Sequence, residues 1–329
     1  MKNDHLTSRE IIRRCVHFQE PPRVGFYTGG PEIDDTVIVF DFFTKDEHRR
    51  DPWGMEWVVH PEIPTIGMIK EHPLAEVFDL SRVRAPDPKD FAQRVARGVA
   101  GLTPAQRDKY RVIATSSGIW ERPQNLRSLE VLCEDLVLRP ELVHQVVDFC
   151  TDFWVAFLQE LAPFKGELDA IYMFDDWGTQ LDAMISPAMW RQFFAEPYRR
   201  VTTAAHESGL DFWLHSCGRV TNLIEEFIAV GMDLVNPYQS ATCGYEEVAQ
   251  RYAGRIAFLT LPDSQSTMPK APPAQIVDEC HRLARWGTSR GGLIVSVGQY
   301  DSPPESSRLV YETFAAMRVP GTSPAGGPR

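Results

Sequence analysis

The stretch LDAIYMFDDWG, residues 168–178, is an apolar run that ends in two aspartates and predicts a buried β-strand. An amphipathic helical segment follows at residues 186–209, and a second apolar run, LDFWLHSCG, occupies residues 210–218. Strands that are apolar on both faces and are separated by an amphipathic helix are typical of a parallel sheet covered by helices. This strand–helix–strand unit therefore indicates an α/β fold.

The same alternation runs from residue 110 to the last predicted helix, near residues 303–317. It gives about eight strands when the two early apolar runs, residues 23–28 and 36–43, are included. With a length of 329 residues, this favours a closed (β/α)8 TIM barrel over an open doubly wound sheet. We expect a single barrel domain over residues 1–318, with an N-terminal helical extension that starts near Thr7 or Ser8. The Pro/Gly-rich residues 319–329 are expected to form a disordered tail.

Composition excludes several classes of partner. The formal net charge is −11, which argues against binding to nucleic acid or to an anionic membrane surface. There is no run of 18 apolar residues and no phosphate-binding glycine motif after any predicted strand. The six cysteines lie far apart without paired spacing, as expected for reduced thiols in a cytoplasmic protein.

His215 and Cys217 are the most informative pair at the predicted strand ends. Active sites of barrels are built at the carboxyl ends of the strands, and residues i and i+2 of a strand face the same side. A histidine and a cysteine that project together can form half of a zinc site or a Cys–His nucleophile. The alternative is a buried cysteine beside a hydrogen-bonded histidine, without chemistry.

FDDWGTQ, residues 174–180, is the second candidate segment. Neighbouring residues of a strand face opposite sides, so only one of Asp175 and Asp176 can point inward. We assign Asp176 to the pocket as a catalytic acid, and expect Gln180 to reach it from the loop. The alternative is that both aspartates cap the following helix.

Other candidates are expected to contact the substrate. Asn236 and Gln239 follow another strand, although Asn-Pro is also a common start of a turn. Tyr300 follows the last strand. Trp53, in the loop DPWGMEW (residues 51–57), can supply an aromatic wall, whereas covering the core is the better interpretation for at least one of Trp53 and Trp57.

HSCG (215–218), the following segment LIEEFIAVGMDLVNPYQ (223–239) and DPWGMEW together resemble the uroporphyrinogen decarboxylase superfamily. That superfamily includes zinc- and cobalamin-linked methyltransferases that act on methylcorrinoid proteins. The resemblance extends over nearly the whole chain and implies a (β/α)8 barrel with a deep pocket at the carboxyl-terminal rim.

Within this superfamily, the N-terminal segment favours the methyltransferase-like branch. True decarboxylases carry an arginine-rich motif that binds the carboxylates of the porphyrinogen, whereas PPRVGFYTGGPEIDD (21–35) has only Arg23. The resemblance therefore implies transfer of a methyl group between a small substrate and a corrinoid (cobalamin) on a partner protein. The alternative is a uroporphyrinogen decarboxylase-like carboxy-lyase that acts on a tetrapyrrole or a small carboxylic acid.

The resemblance also implies a metal site. In the methyltransferase branch, H-x-C and a distant cysteine on the last strand bind zinc, which lowers the pKa of a substrate thiol. His215 and Cys217 match the first part, but the last strand, GGLIVSVGQY (291–300), has no cysteine. The third ligand is left open between Asp176, Cys243 and Asp263. A homodimer is the default expectation for the assembly.

Overall fold

The computed structural model describes residues 6–41, 49–59, 67–299 and 301–317. Its strands are β1 Gly25–Tyr27, β2 Thr36–Asp41, β3 Trp57–Val59, β4 Gly67–Ile69, β5 Tyr110–Ala114, β6 Ala170–Phe174, β7 Asp211–Ser216, β8 Leu234–Pro237, β9 Ala257–Thr260 and β10 Leu293–Ser296. Eight of them form one sheet in the order β1-β10-β9-β8-β7-β6-β5-β2, in which every neighbouring pair is parallel. The strands β3 and β4 form a separate antiparallel hairpin. The predicted (β/α)8 barrel is confirmed.

Helices follow the strands and cover the outside of the barrel. They are α1 Ser8–Val16, α2 Pro88–Ala100, α3 Pro104–Arg107, α4 Glu121–Arg127, α5 Leu129–Leu138, α6 Pro140–Glu160, α7 Pro187–Phe193, α8 Ala195–Glu207, α9 Ile224–Ala229, α10 Ser240–Cys243, α11 Tyr245–Tyr252, α12 Thr267–Lys270, α13 Pro273–Leu283 and α14 Pro304–Ala316. The large hydrophobic core lies between the outer face of the sheet and these helices, as a two-layer architecture requires.

Helix α1 closes the amino-terminal end of the barrel. Its buried residues Ile11, Ile12, Cys15 and Val16 join the cluster that fills the barrel interior. That cluster takes alternate residues from the strands, namely Tyr110, Val112, Ala170, Tyr172, Trp213, Leu234, Ala257, Leu259 and Ile294. Among the described residues, α1 fills this end, and the cavity opens at the carboxyl ends of the strands.

Asp35 joins the two edge strands of the sheet. Its backbone N–H donates to the carbonyl of Phe26 on β1 at 2.9 Å, and its carboxylate accepts the N–H of Phe26 at 3.0 Å. The same carboxylate binds Arg23, whose Nη1 and Nη2 donate to it at 2.6 and 2.8 Å. Arg23 thus stabilises the barrel seam below β1.

The predicted elements differ from the observed ones mainly at their boundaries. The helix expected over residues 186–209 is two helices, α7 and α8, which meet at Phe194. Pro197 has no N–H to donate to the carbonyl of Phe193, so the helical hydrogen-bond ladder is interrupted there. Thr7 caps α1, as expected, by accepting the N–H of Glu10 at 3.2 Å. Helix α2 was not predicted, and the expected tail lies outside the described residues.

None of the helices in the described part of the chain is both long and apolar enough to cross a membrane. All six cysteines are free thiols.

Candidate active site

A cavity of about 690 Å³ opens at the carboxyl ends of the barrel strands. Its walls include four aromatic side chains, Tyr27, Tyr172, Phe174 and Tyr238. The polar side chains that matter most for its chemistry are Asp41, Glu121, Asp176, His215, Cys217 and Asn236. This is the end of a barrel at which active sites lie, and the volume suits a small-molecule substrate.

The side chains of Asp176, His215 and Cys217 meet on one side of this cavity. Nε2 of His215 lies 3.5 Å from Sγ of Cys217 and 3.5 Å from Oδ1 of Asp176. The potential ligand atoms of all three residues lie within 4.8 Å of one another. Among the residues that the structure describes, this is the one group of three such side chains close enough to hold a metal ion.

The strand pleat explains why these three residues face the same cavity. Ala170 and Tyr172 point into the barrel, so the same side of the chain presents Phe174 and then Asp176. On β7 the equivalent sequence is Trp213, His215 and Cys217, which line the interior and then the cavity. Strands β6 and β7 are paired with Phe174 opposite His215, which brings the two strand ends together.

Asn236 orients the ring of His215. Nδ2 of Asn236 donates to the carbonyl of Leu259 at 2.5 Å, so Oδ1 is the atom that faces His215. Nδ1 of His215 lies 2.6 Å from that oxygen and Tyr172 donates its hydroxyl to it as well. Because Oδ1 can only accept, Nδ1 carries the proton and Nε2 presents its lone pair to the cavity.

Asp175 and Asp176 have different surroundings. Asp175 is fully buried and accepts the N–H groups of Trp120 and Glu121, at 2.8 and 2.7 Å, at the start of α4. It also accepts the hydroxyl of Tyr198. Asp176 lines the cavity, and its Oδ1 accepts the N–H of Cys217 at 2.7 Å. The inward placement expected for Asp176 is thus observed, and Asp175 is the capping residue.

Two glycines allow the loops after β6 and β7 to touch. Gly218 has φ +74°, and a Cβ added there would lie 2.2 Å from the carbonyl carbon of Gly178. A Cβ on Gly178 would lie 2.6 Å from the carbonyl oxygen of Cys217. This backbone contact sets the separation between Asp176 and Cys217, so Gly218 in HSCG is a structural requirement of the site.

Burial and charge determine the protonation of the group. Burial lowers the pKa of His215, although the charge of Asp176 and the hydrogen bond to Asn236 oppose this shift. Burial, reinforced by the charge of Asp176, raises the pKa of the Cys217 thiol. Burial and the charges of Asp176 and Asp175 raise the pKa of Glu121 well above its usual range. Burial therefore favours the neutral imidazole, in which Nε2 can act as a ligand.

The three side chains fit a zinc ion. Zinc prefers nitrogen, sulfur and carboxylate oxygen ligands, and this group offers one of each. Tetrahedral bonds of ~2.0–2.3 Å place neighbouring ligand atoms roughly 3.3–3.6 Å apart. Both separations from Nε2 of His215 are 3.5 Å. Of the three candidates for the third ligand, Asp176 is the one that the structure places beside His215 and Cys217.

The other two candidates for that third ligand lie elsewhere. Sγ of Cys243 is buried and lies 3.4 Å from the carbonyl oxygen of Gly218, and Cys243 does not line the cavity. Oδ1 of Asp263 accepts from the backbone N–H and hydroxyl of Ser266, at 2.8 and 2.6 Å. Asp263 therefore stabilises its own loop.

Gln180 and Gln239 lie outside the cavity lining. Nε2 of Gln180 donates to Oε1 of Gln239 at 3.0 Å, and the same oxygen accepts the N–H of Gly218 at 2.9 Å. The expected contact of these two residues with substrate is corrected to a supporting position behind the loop after β7. Gln239 faces away from the cavity because it lies an odd number of residues after the inward-facing Asn236.

Three further predicted contacts have different outcomes. Trp53 is buried against Phe149 and Phe153, beneath the guanidinium of Arg122, so it covers the core and does not line the cavity. Asn236 lines the cavity, but its amide is occupied by His215, Tyr172 and Leu259. Tyr300 lies outside the described residues.

Sequence reasoning missed several residues of the cavity wall, among them Asp41, Glu121, Tyr172 and Phe174. Tyr172 and Phe174 were available from the alternation that selected Asp176, because they are the preceding inward positions of the same strand. Asp41 is the last residue of β2 and was hidden by an overlong strand prediction. Glu121 begins helix α4, and no periodic signal marks it.

Comparison with known proteins agrees with this architecture. The chain is 24% identical over 270 residues to a protein named uroporphyrinogen decarboxylase from Aromatoleum aromaticum, covering 74% of this chain and 69% of the relative. A methyltransferase from Methanosarcina mazei has a similar structure, with a TM-score of 0.68 and 14% identity over 94% of this chain and 99% of the other. At that identity the likeness establishes the fold. The sequence profile of the uroporphyrinogen decarboxylase (URO-D) family matches residues 51–315, so the chain belongs to the URO-D family.

Proposed function

We propose that this chain is a metal-dependent methyltransferase, which moves a methyl group between a small substrate and a corrinoid carried by a partner protein. The observation that carries this proposal is the group of Asp176, His215 and Cys217, with ligand atoms within 4.8 Å of one another at the wall of the cavity. The methyltransferase fold of the Methanosarcina protein supports the same assignment.

The charge of the cavity opposes the decarboxylation of a porphyrinogen. A substrate with several carboxylates needs several cations, because each desolvated charge must be paired. The described lining holds the acids Asp41, Glu121 and Asp176 and neither lysine nor arginine. Arg23, the one arginine of the N-terminal segment, pairs with Asp35 at the barrel seam instead.

The residues of this chain would prepare both the site and its substrate. Asn236 holds the proton of His215 on Nδ1, which keeps Nε2 directed toward Asp176 and Cys217. A zinc ion bound by these three side chains would lower the pKa of a substrate thiol, so that a thiolate exists at neutral pH. The rings of Tyr27, Phe174 and Tyr238 would exclude water from the reacting groups.

The test combines metal analysis with a methyl-transfer assay on the full chain. We expect near-stoichiometric zinc in the purified protein, and demethylation of methylcobalamin in the presence of a small thiol such as 2-mercaptoethanol. The reaction is followed by the absorbance of the corrinoid and by mass spectrometry of the S-methyl product. Cys217→Ser is expected to abolish both metal binding and transfer.

A parallel incubation with uroporphyrinogen distinguishes the alternative function. Release of carbon dioxide from uroporphyrinogen, without methyl transfer, would replace this proposal with a carboxy-lyase function, which the curated relative favours. A protein that binds no zinc and transfers no methyl group would contradict the methyltransferase assignment.

A further inference from the structure

Three acidic side chains line the cavity. Asp41 ends β2, Glu121 begins α4 and Asp176 follows β6, so the carboxylates approach the cavity from three separate elements. The described lining includes neither lysine nor arginine. Acidic side chains without a lysine or arginine beside them in the described lining make the cavity a better environment for a cationic group than for an anionic one.

Two arginines close in sequence to cavity residues, Arg122 and Arg219, are paired elsewhere. Nη1 of Arg122 lies 2.6 Å from Oδ2 of Asp51, and the guanidinium covers the ring of Trp53. Arg219 donates to Glu247 at 2.8 Å and to the carbonyl of Thr242 at 2.9 Å. Neither arginine is available to neutralise an anion in the cavity.

Aromatic rings form a continuous wall around the imidazole of His215. The ring of Phe174 stacks on it at 4.5 Å between centroids, and the ring of Tyr238 lies at 5.4 Å. The ring of Tyr27 lies edge-on to Tyr172 at 6.2 Å. Aromatic faces and carboxylates together bind ammonium groups, through cation–π attraction and ion pairing, and they bind anions poorly.

The preference of the cavity for an ammonium group over an anion would remain after metal binding. A zinc ion carries two positive charges, and the carboxylate of Asp176 and the thiolate of Cys217 balance them. Asp41 and Glu121 stay in the lining, and a bound substrate thiolate adds another negative charge. A positive group at the other end of the substrate offsets these charges, whereas a negative group adds to them.

Resting on the proposed function, we infer that the small substrate is an aminothiol, whose thiol is the methyl acceptor and whose ammonium group lies against Glu121 and the aromatic wall. The transfer forms a sulfur–carbon bond and breaks the carbon–cobalt bond of a methylated corrinoid. The electron pair of that bond stays with the cobalt, and the thiol proton is released to solvent. Glu121 and Asp176 line the same cavity, and an ammonium group placed against them favours the ionised form of both carboxyl groups.

The experiment compares three thiols of similar length with the zinc-loaded full chain and methylcobalamin: cysteamine, 2-mercaptoethanol and 3-mercaptopropionate. We expect kcat/KM to be at least tenfold higher for cysteamine than for 3-mercaptopropionate, with 2-mercaptoethanol between them. A second readout is the affinity of each thiol for the Co²⁺-loaded protein, measured from the visible absorption of Co²⁺. We expect the same order.

The variant Glu121→Gln separates recognition of charge from the different intrinsic reactivities of the thiols. For each protein, kcat/KM for cysteamine is divided by kcat/KM for 3-mercaptopropionate. Dividing the wild-type ratio by the ratio of the variant cancels the intrinsic reactivities of the thiols. We expect this quotient to be about five or more, which is ~1 kcal/mol. Glu130→Gln, at an exposed position of α5, is the matched control and should give a quotient of one.

The outcomes distinguish this inference from the function on which it rests. If the protein binds no metal and methylates none of the thiols, the methyltransferase proposal fails and the inference fails with it. If methyl transfer occurs but 3-mercaptopropionate is preferred, or if Glu121→Gln leaves the ratio unchanged, only the aminothiol inference is overturned.

Discussion

Nδ1 of His215 lies 2.6 Å from Oδ1 of Asn236, and this hydrogen bond decides which nitrogen of the ring faces the cavity. The amide of Asn236 is itself fixed, because Nδ2 donates to the carbonyl of Leu259 on the next strand. Asn236 thus orients the ring of His215, and its contact with substrate stays a prediction. Such supporting hydrogen bonds typically contribute 10–100-fold to the affinity of a metal site.

Asn236→Ala is therefore expected to weaken zinc binding by about 10–100-fold, because the ring of His215 is free to rotate and to change tautomer. Competition with a chromophoric chelator measures this affinity. Tyr172→Phe is the matched control, since it removes another donor from the same oxygen but keeps the bond to His215. It should change the affinity by less than about threefold, and equal losses in both variants would contradict the positioning role.

The two cysteines nearest the site should behave differently toward metal. Cys217→Ser removes a potential ligand atom from the cavity wall and is expected to lower the zinc content of the purified protein to a small fraction of one equivalent. Cys243→Ser changes a buried thiol that lies against Gly218 and does not line the cavity. It should retain zinc, as measured by elemental analysis. Retention of full zinc by Cys217→Ser would exclude this cysteine as a ligand.

Gly218→Ala should disrupt the site through the backbone. The new Cβ would lie 2.2 Å from the carbonyl carbon of Gly178, and the left-handed conformation at φ +74° adds strain. We expect a loss of about 2–3 kcal/mol in the free energy of unfolding, together with loss of zinc binding.

Gly54→Ala isolates the conformational part of this effect. Gly54 has φ +78°, but a Cβ there meets nothing within 4 Å, so the expected loss is only about 1 kcal/mol. Denaturant unfolding of the two variants measures the difference. Similar losses would show that the contact between the loops after β6 and β7 contributes little.

Strand periodicity predicted the part of the site that continues regular strands. The rule that residues i and i+2 face the same side placed His215 and Cys217 together and selected Asp176 over Asp175. Gln180 lies in the loop beyond β6, where the rule gives no direction, whereas Gln239 follows the rule and faces away from the cavity. The two side chains hydrogen-bond to each other. The strands themselves were also predicted, because parallel strands buried on both faces are continuous apolar runs.

Contacts between distant segments could not be predicted. Arg23 and Asp35 form a salt bridge because the closing of the barrel brings them together. Trp53 is buried because it packs against α6. Glu121 enters the cavity because Asp175, 54 residues later, caps the start of α4. Such tertiary contacts leave no periodic pattern in one sequence.

Two histidines at the surface make the stability of the barrel depend on pH. His17 lies 3.1 Å from Asp211, and His206 lies 2.8 Å from Asp233. The hydrogen bond to the carboxylate is the largest cause of the raised pKa of each imidazole. A histidine whose pKa is raised on folding stabilises the protein fully below its unfolded pKa of ~6.5, and this contribution is lost as the pH rises through the folded value.

The contribution of these two pairs to the free energy of unfolding should therefore fall as the pH rises from 6 to 9. Each imidazole is more than a third exposed, so we expect at most about 1 kcal/mol from each pair. Urea unfolding at the two pH values measures the change, and the double variant His17→Gln/His206→Gln should reduce it. His144→Gln, at an exposed position of α6, is the control and should leave the change as in the wild type. If the double variant loses as much stability over this range as the wild type, the two ion pairs do not cause the pH dependence.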